Sequence, residues 1–63
     1  MGKIRRGNYI FITWKGDHDH HVHVYKDGRF IVKWDLENWL PMAGKTTKRI
    51  EDLLRELRAE GKL

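Results

Sequence analysis

HVHVYKDGRFIVKW, residues 21–34, alternates apolar and polar residues on both sides of an Asp-Gly pair. Side chains in a strand point alternately to opposite faces, so this stretch reads as two antiparallel strands joined by a tight turn. The turn decides which faces match. A two-residue Asp27-Gly28 turn pairs Lys26 with Arg29 and sets His23 beside Val32, mixing imidazoles into the apolar face. A three-residue Lys26-Asp27-Gly28 turn with a left-handed Gly28 pairs Tyr25 with Arg29 instead. Val22 and Val24 then share a face with Phe30, Val32 and Trp34, while His21, His23 and Tyr25 share the other with Ile31, Lys33 and Asp35. Because a one-residue slip reverses every side chain, the second register is the expected one.

Working outward, Tyr9-Ile10-Phe11-Ile12-Thr13-Trp14 is β-branched and aromatic and is bounded by Gly7-Asn8 and Lys15-Gly16-Asp17, which makes it a further strand. Residues 37–45 read as irregular: Pro41 and Gly44 oppose regular structure, and Trp39-Leu40-Pro41-Met42 is expected to pack over an edge of the core. Ile50, Leu53, Leu54 and Leu57 recur at helical spacing, with Thr46 or Thr47 as N-cap, Glu51 and Asp52 early, and Gly61 as the stop. The expected fold is a single α+β domain over residues 1–63. It has a three-stranded antiparallel sheet (β-β-β) with one C-terminal helix packed on one face.

One helix leaves the other sheet face open. If Ile10, Ile12 and Trp14 point to the helix, Tyr9, Phe11 and Thr13 join His21, His23, Tyr25 and Ile31 on that open face; since both faces of the first strand are apolar, the reverse is equally consistent. Either way the open face is too apolar to be merely wetted, and it reads as a dimer interface or a binding platform.

Composition narrows the function classes. A chain of 63 residues is close to the lower size limit for independent folding, and it has no cysteine for a disulfide or a thiolate metal site. No stretch is long and apolar enough to cross a bilayer, and Lys3-Ile4-Arg5-Arg6 leads into a β-rich segment rather than a signal-peptide core; a soluble, cytoplasmic protein is expected. The formal net charge is +4, with Lys3, Arg5 and Arg6 clustered early and Lys45, Lys48 and Arg49 late. That distribution favours nucleic acid as a partner.

Four chemistries compete for the histidine-rich segment. His21 and His23, two apart on a strand, can share a metal ion, with His18, His20, Asp17 or Asp19 as further ligands. No histidine lies elsewhere in the chain to close the coordination sphere, and no resident cofactor is expected. The same pair can act as general acid and base on RNA, steadied by Tyr25 and Lys33. Alternatively, Tyr25 with Phe11 or Tyr9, among Lys33, Arg29 and Lys15, forms a stacking-plus-charge surface for single-stranded nucleic acid. The fourth option buries those aromatics against a second subunit. Ala43-Gly44-Lys45-Thr46-Thr47 imitates the end of a phosphate-binding loop, but Trp39 stands where the motif needs its first glycine. What survives is a helix start flanked by Lys45, Lys48 and Arg49.

Two resemblances accompany these readings. His21-Val22-His23-Val24-Tyr25, a glycine turn and Lys33-Trp34-Asp35-Leu36 resemble the short prokaryotic family known as domain of unknown function 4160, which the chain matches best over residues 9–36. Where that family has a Pro-rich approach to its strand, this chain has Asp19-His20. The resemblance implies a toxin–antitoxin-like regulatory setting and no particular activity. The order of elements is also similar to that of HicA-type RNA-cleaving toxins, through Gly16-Asp17-His18, Asp27-Gly28-Arg29 and Gly61; those toxins begin with a helix and carry Gly-Ser-His at the first motif.

The sequence therefore points to an interaction module that binds RNA, DNA or a cognate protein and forms a homodimer through its open sheet face, without a membrane. His21, His23, Tyr25, Lys33, Arg5, Arg6, Lys45, Lys48 and Arg49 are its expected contact residues. A metal-independent ribonuclease using His21 or His23 is the alternative, and a metal-binding protein using His18, His20, His21 and His23 the third.

Overall fold

The computed structural model describes residues 2–15 and 20–63, apart from the side chains of residues 14 and 15. Asp17, His18 and Asp19 lie outside the described residues, as does the direction in which Trp14 points. The chain is α+β: one antiparallel sheet followed by one C-terminal helix. The sheet has five strands rather than three. They are β1 (Gly2–Arg6), β2 (Tyr9–Lys15), β3 (His20–Lys26), β4 (Arg29–Asp35) and β5 (Leu40–Gly44), arranged in sequence order, with α1 (Lys48–Ala59) after them.

The two added strands lie at the two edges. β1 pairs with β2 through a two-residue Gly7-Asn8 turn, where Gly7 takes φ 60°, and Arg6 faces Tyr9 across it. Its Lys3-Ile4-Arg5 alternation turns Ile4 to the core and the two cations away, which also guards the edge against unwanted pairing. β5 forms despite Pro41, because an edge position tolerates a missing N–H.

The β3–β4 hairpin corrects the expected turn. Lys26 pairs with Arg29, and Asp27 (φ 52°) and Gly28 (φ 79°) are both left-handed, the geometry of a type I′ two-residue turn. The apolar match survives because the extra residue sits in β4 instead: Tyr25 pairs with Phe30 but Val24 with Val32, leaving Ile31 as the bulge. Val22 still faces Trp34, and His23 still faces Lys33. The bulge exchanges two residues relative to expectation. Phe30 joins Tyr25 on the open face and is 45% exposed, while Ile31 packs against the core.

The core forms between that sheet and α1. Phe11, Val22, Val24, Val32 and Trp34 meet Ile50, Leu53, Leu54 and Leu57, all buried. Phe11 faces Val24, so β2 presents Tyr9 and Phe11 to the helix and leaves Ile10 and Ile12 on the open face. Thr47 is the N-cap: its Oγ1 accepts from the Ile50 N–H at 3.2 Å. Beyond the last turn the Gly61 N–H bonds to the Arg58 carbonyl and the Lys62 N–H to the Leu57 carbonyl, with Gly61 at φ 77°. This Schellman closure lets Leu63 fold back onto the core. Trp39 also packs there, edge-on to Trp34 at 5.5 Å, while Leu40 and Met42, expected over the core edge, are exposed.

Candidate nucleic-acid interface

The face of the sheet away from α1 is built from rows of side chains that cross the strands. Residues opposite one another in an antiparallel pair project to the same side. One row runs Lys3, Ile12, His23, Lys33 and Ala43; the next runs Arg5, Ile10, Tyr25 and Phe30; His21, Asp35 and Leu40 belong to a third. Strand geometry alone therefore sets Lys3 and Arg5 at the β1 end of an apolar and aromatic centre, with Lys33 beside it on β4.

The aromatic centre is in mutual contact. Tyr25 and Phe30 meet edge to face at 5.8 Å, Phe30 and His23 lie 6.1 Å apart, and His23 and His21 meet edge to face at 5.0 Å. Partial burial, and then the nearby His21 and Lys33, hold the His23 imidazole below its ordinary pKa. The shift favours its neutral ring, which can stack on a base.

Asp35 is the acid of this face, and it is committed to its own loop. Its Oδ1 accepts from the Glu37 N–H at 2.9 Å and the Asn38 N–H at 3.2 Å, and its Oδ2 accepts from Asn38 Nδ2 at 2.8 Å. The Asn38 bonds foremost, then the Glu37 N–H and the neighbouring His21, hold its carboxyl below the usual carboxylate range. It stays ionised and shapes the turn into β5.

Of the residues the sequence singles out, His21, His23, Tyr25, Lys33 and Arg5 come together on this face. Arg6 does not: its guanidinium donates to Glu60 beyond the helix C-terminus. Lys45 follows β5, and Lys48 and Arg49 are in the first turn of α1, in the layer on the other side of the sheet. The four histidines do not form one cluster either. His20 turns to the helix side, where it lines a cavity with Leu36, Trp39, Arg58 and Leu63. Among the described residues no group of three histidine, cysteine or acidic side chains is placed to hold a metal ion. Lys3 and Phe30 complete the face and were not expected there, while Ile10 and Ile12 join it through the second of the two orientations that the sequence leaves open for β2. The signal for Lys3 is the Gly7-Asn8 pair, whose two-residue turn folds β1 back onto β2.

Comparison with protein-family models, with curated proteins and with solved structures yields no match. Among the described residues no helix is long and apolar enough to cross a membrane.

Proposed function

We propose that the open face of the sheet binds single-stranded nucleic acid, in a small regulatory system of the kind the sequence resemblance implies. The observation that carries this reading is the Tyr25–Phe30–His23 aromatic cluster flanked by Lys3, Arg5 and Lys33. Bases stack on aromatic rings whatever their identity, and backbone phosphates seek cations beside them. Charge favours this occupant over a second copy laid face to face, because self-pairing would bring two faces together that each carry Lys3, Arg5 and Lys33.

A short single-stranded RNA titrated into labelled protein tests the reading. Backbone NMR signals of Ile12, His23, Tyr25, Phe30 and Lys33 should move together while those of α1 stay. Shifts confined to Lys45, Lys48 and Arg49, or none, would contradict it. The His21–His23 contact beside Lys33 favours ribonuclease activity as a second reading. Shortening of that RNA on incubation, abolished by His23→Ala, would establish it, and intact RNA would remove it.

A further inference from the structure

The cavity on the helix side of the sheet lies where β3 begins and α1 ends, away from the cationic open face. It encloses about 190 Å³, and His20, Leu36, Trp39, Arg58 and Leu63 line it. Backbone and loop hydrogen bonds fix these segments. The Leu36 N–H donates to the His20 carbonyl at 3.0 Å, and the Asp35 carboxylate holds the turn that carries Trp39. The carbonyls of Glu56, Leu57 and Arg58 are taken by the N–H groups of Glu60, Lys62 and Gly61, which positions Leu63 and satisfies the negative end of the helix. Two features set this hollow apart from plain surface. Trp39 holds φ 57° at the last position of the turn at residues 36–39, a left-handed conformation that glycine adopts without strain and a bulky side chain does not. Backbone strain of that kind gathers at binding sites. The second feature is Arg58, whose guanidinium lies over the Trp39 ring, 4.9 Å from its centroid. Glu60 is paired with Arg6 and Lys62, Glu51 and Asp52 with Arg55, and Asp35 with its own loop. Among the described residues Arg58 has no ion-pair partner, and its N–H donors make no hydrogen bond.

We propose that this cavity binds a small apolar carboxylate, a single ring or branched chain bearing one anionic head. Charge selects the head. An unpaired guanidinium presents a planar fork that fits a carboxylate, and stacking on Trp39 limits its motion before the ligand arrives. His20 adds an imidazole to the same lining, a further hydrogen-bond donor. The body of the ligand meets Leu36, Leu63 and the Trp39 ring, which Trp34 braces edge-on at 5.5 Å. Volume sets the size. The cavity is comparable with the void of about 150 Å³ that accepts benzene, and smaller than the ~300 Å³ at which drug-sized sites begin. A whole nucleotide exceeds it, which separates this site from the open face. The lining residues are half-buried or exposed, so the cavity is reached from solvent. The site stands whether or not the open face binds nucleic acid.

Titration of the full chain with benzoate, followed by NMR, tests the proposal. The Trp39 indole N–H signal and the backbone signals of His20, Leu36 and Leu63 should move together and saturate, while those of Tyr25 and Lys33 stay. Arg58→Gln should weaken binding by about tenfold or more, the loss of a charge-assisted hydrogen-bonded pair. Arg58 is exposed, so that variant should keep the circular dichroism spectrum of the wild type. Arg55→Gln, three residues earlier on α1 and outside the cavity, should leave the affinity as it is. Benzyl alcohol keeps the ring without the charge, and inorganic phosphate keeps the charge without the ring. Each should bind about tenfold or more weakly than benzoate. No saturable shift at Trp39, an affinity for either control compound equal to that for benzoate, or an affinity that Arg58→Gln alters no more than Arg55→Gln would overturn the proposal.

Discussion

Gly44 of β5 packs its α-carbon against the backbone of Ile31 in β4, so closely that a Cβ there would lie 2.2 Å from the Ile31 carbonyl oxygen. Gly44 also has φ 83°, in the region that L side chains avoid. The contact lies beside the bulge that turns Phe30 to the open face, so one glycine links the last strand to the aromatic cluster. Gly44→Ala is expected to destabilise the fold by about 2 kcal/mol or more, from backbone strain and the clash together. For a domain of this size that lowers Tm by roughly 10 °C. Gly28→Ala, which meets nothing within 4 Å, incurs the strain alone and should lower Tm less. Equal Tm for Gly44→Ala and wild type would contradict the packing.

The two faces of β2 are tested by adjacent truncations. Phe11 is fully buried against Val24, so Phe11→Ala should cost about 3–5 kcal/mol. Ile12, one residue on, faces His23 across the open side, and Ile12→Ala should cost well under half as much. Urea unfolding reads both. Equal losses, or the reverse order, would mean that the strand faces the other way.

Stability should carry a signature of His23. Its folded pKa lies below the ordinary 6.5, so the unfolded chain binds the proton more readily. The stability this contributes is complete above that value and is lost as pH falls through it. The urea midpoint of the wild type should therefore decline between about pH 7 and pH 5, and His23→Gln should remove that part of the decline. A variant whose pH profile overlays the wild type's would disprove the assignment.

Much of this architecture is legible in the sequence, and the exceptions have physical causes. The alternation of Val22, Val24, Val32 and Trp34 and the spacing of Ile50, Leu53, Leu54 and Leu57 identify the hairpin, the helix and the core they share. The position of a bulge leaves no such mark. Moving the extra residue from the turn to Ile31 preserves the match of the valines while exchanging Phe30 and Ile31 between faces. Ile10, Phe11 and Ile12 are all apolar, so pattern alone does not orient β2; packing of Phe11 against α1 does. β1 offers a single apolar residue, Ile4, and β5 contains Pro41. Both strands exist because a neighbour's edge supplies their hydrogen bonds, a tertiary effect that local propensity does not record. The grouping of Arg5 with Tyr25, and the separation of Arg6, Lys48 and Arg49 from it, follow from that pairing.

The central claim is most directly tested by the salt dependence of binding to a short single-stranded RNA, measured for wild type and for Tyr25→Ala and Lys33→Gln. With Lys3, Arg5 and Lys33 each neutralising one phosphate, log Kobs should fall against log salt with a slope of about −2. Lys33→Gln should reduce the steepness by about 0.7, the contribution of one phosphate on a single strand. Tyr25→Ala should weaken binding by about 1–3 kcal/mol, one stacked base, with the slope unchanged. A flat salt dependence, or affinity that neither change alters, would contradict binding at this face.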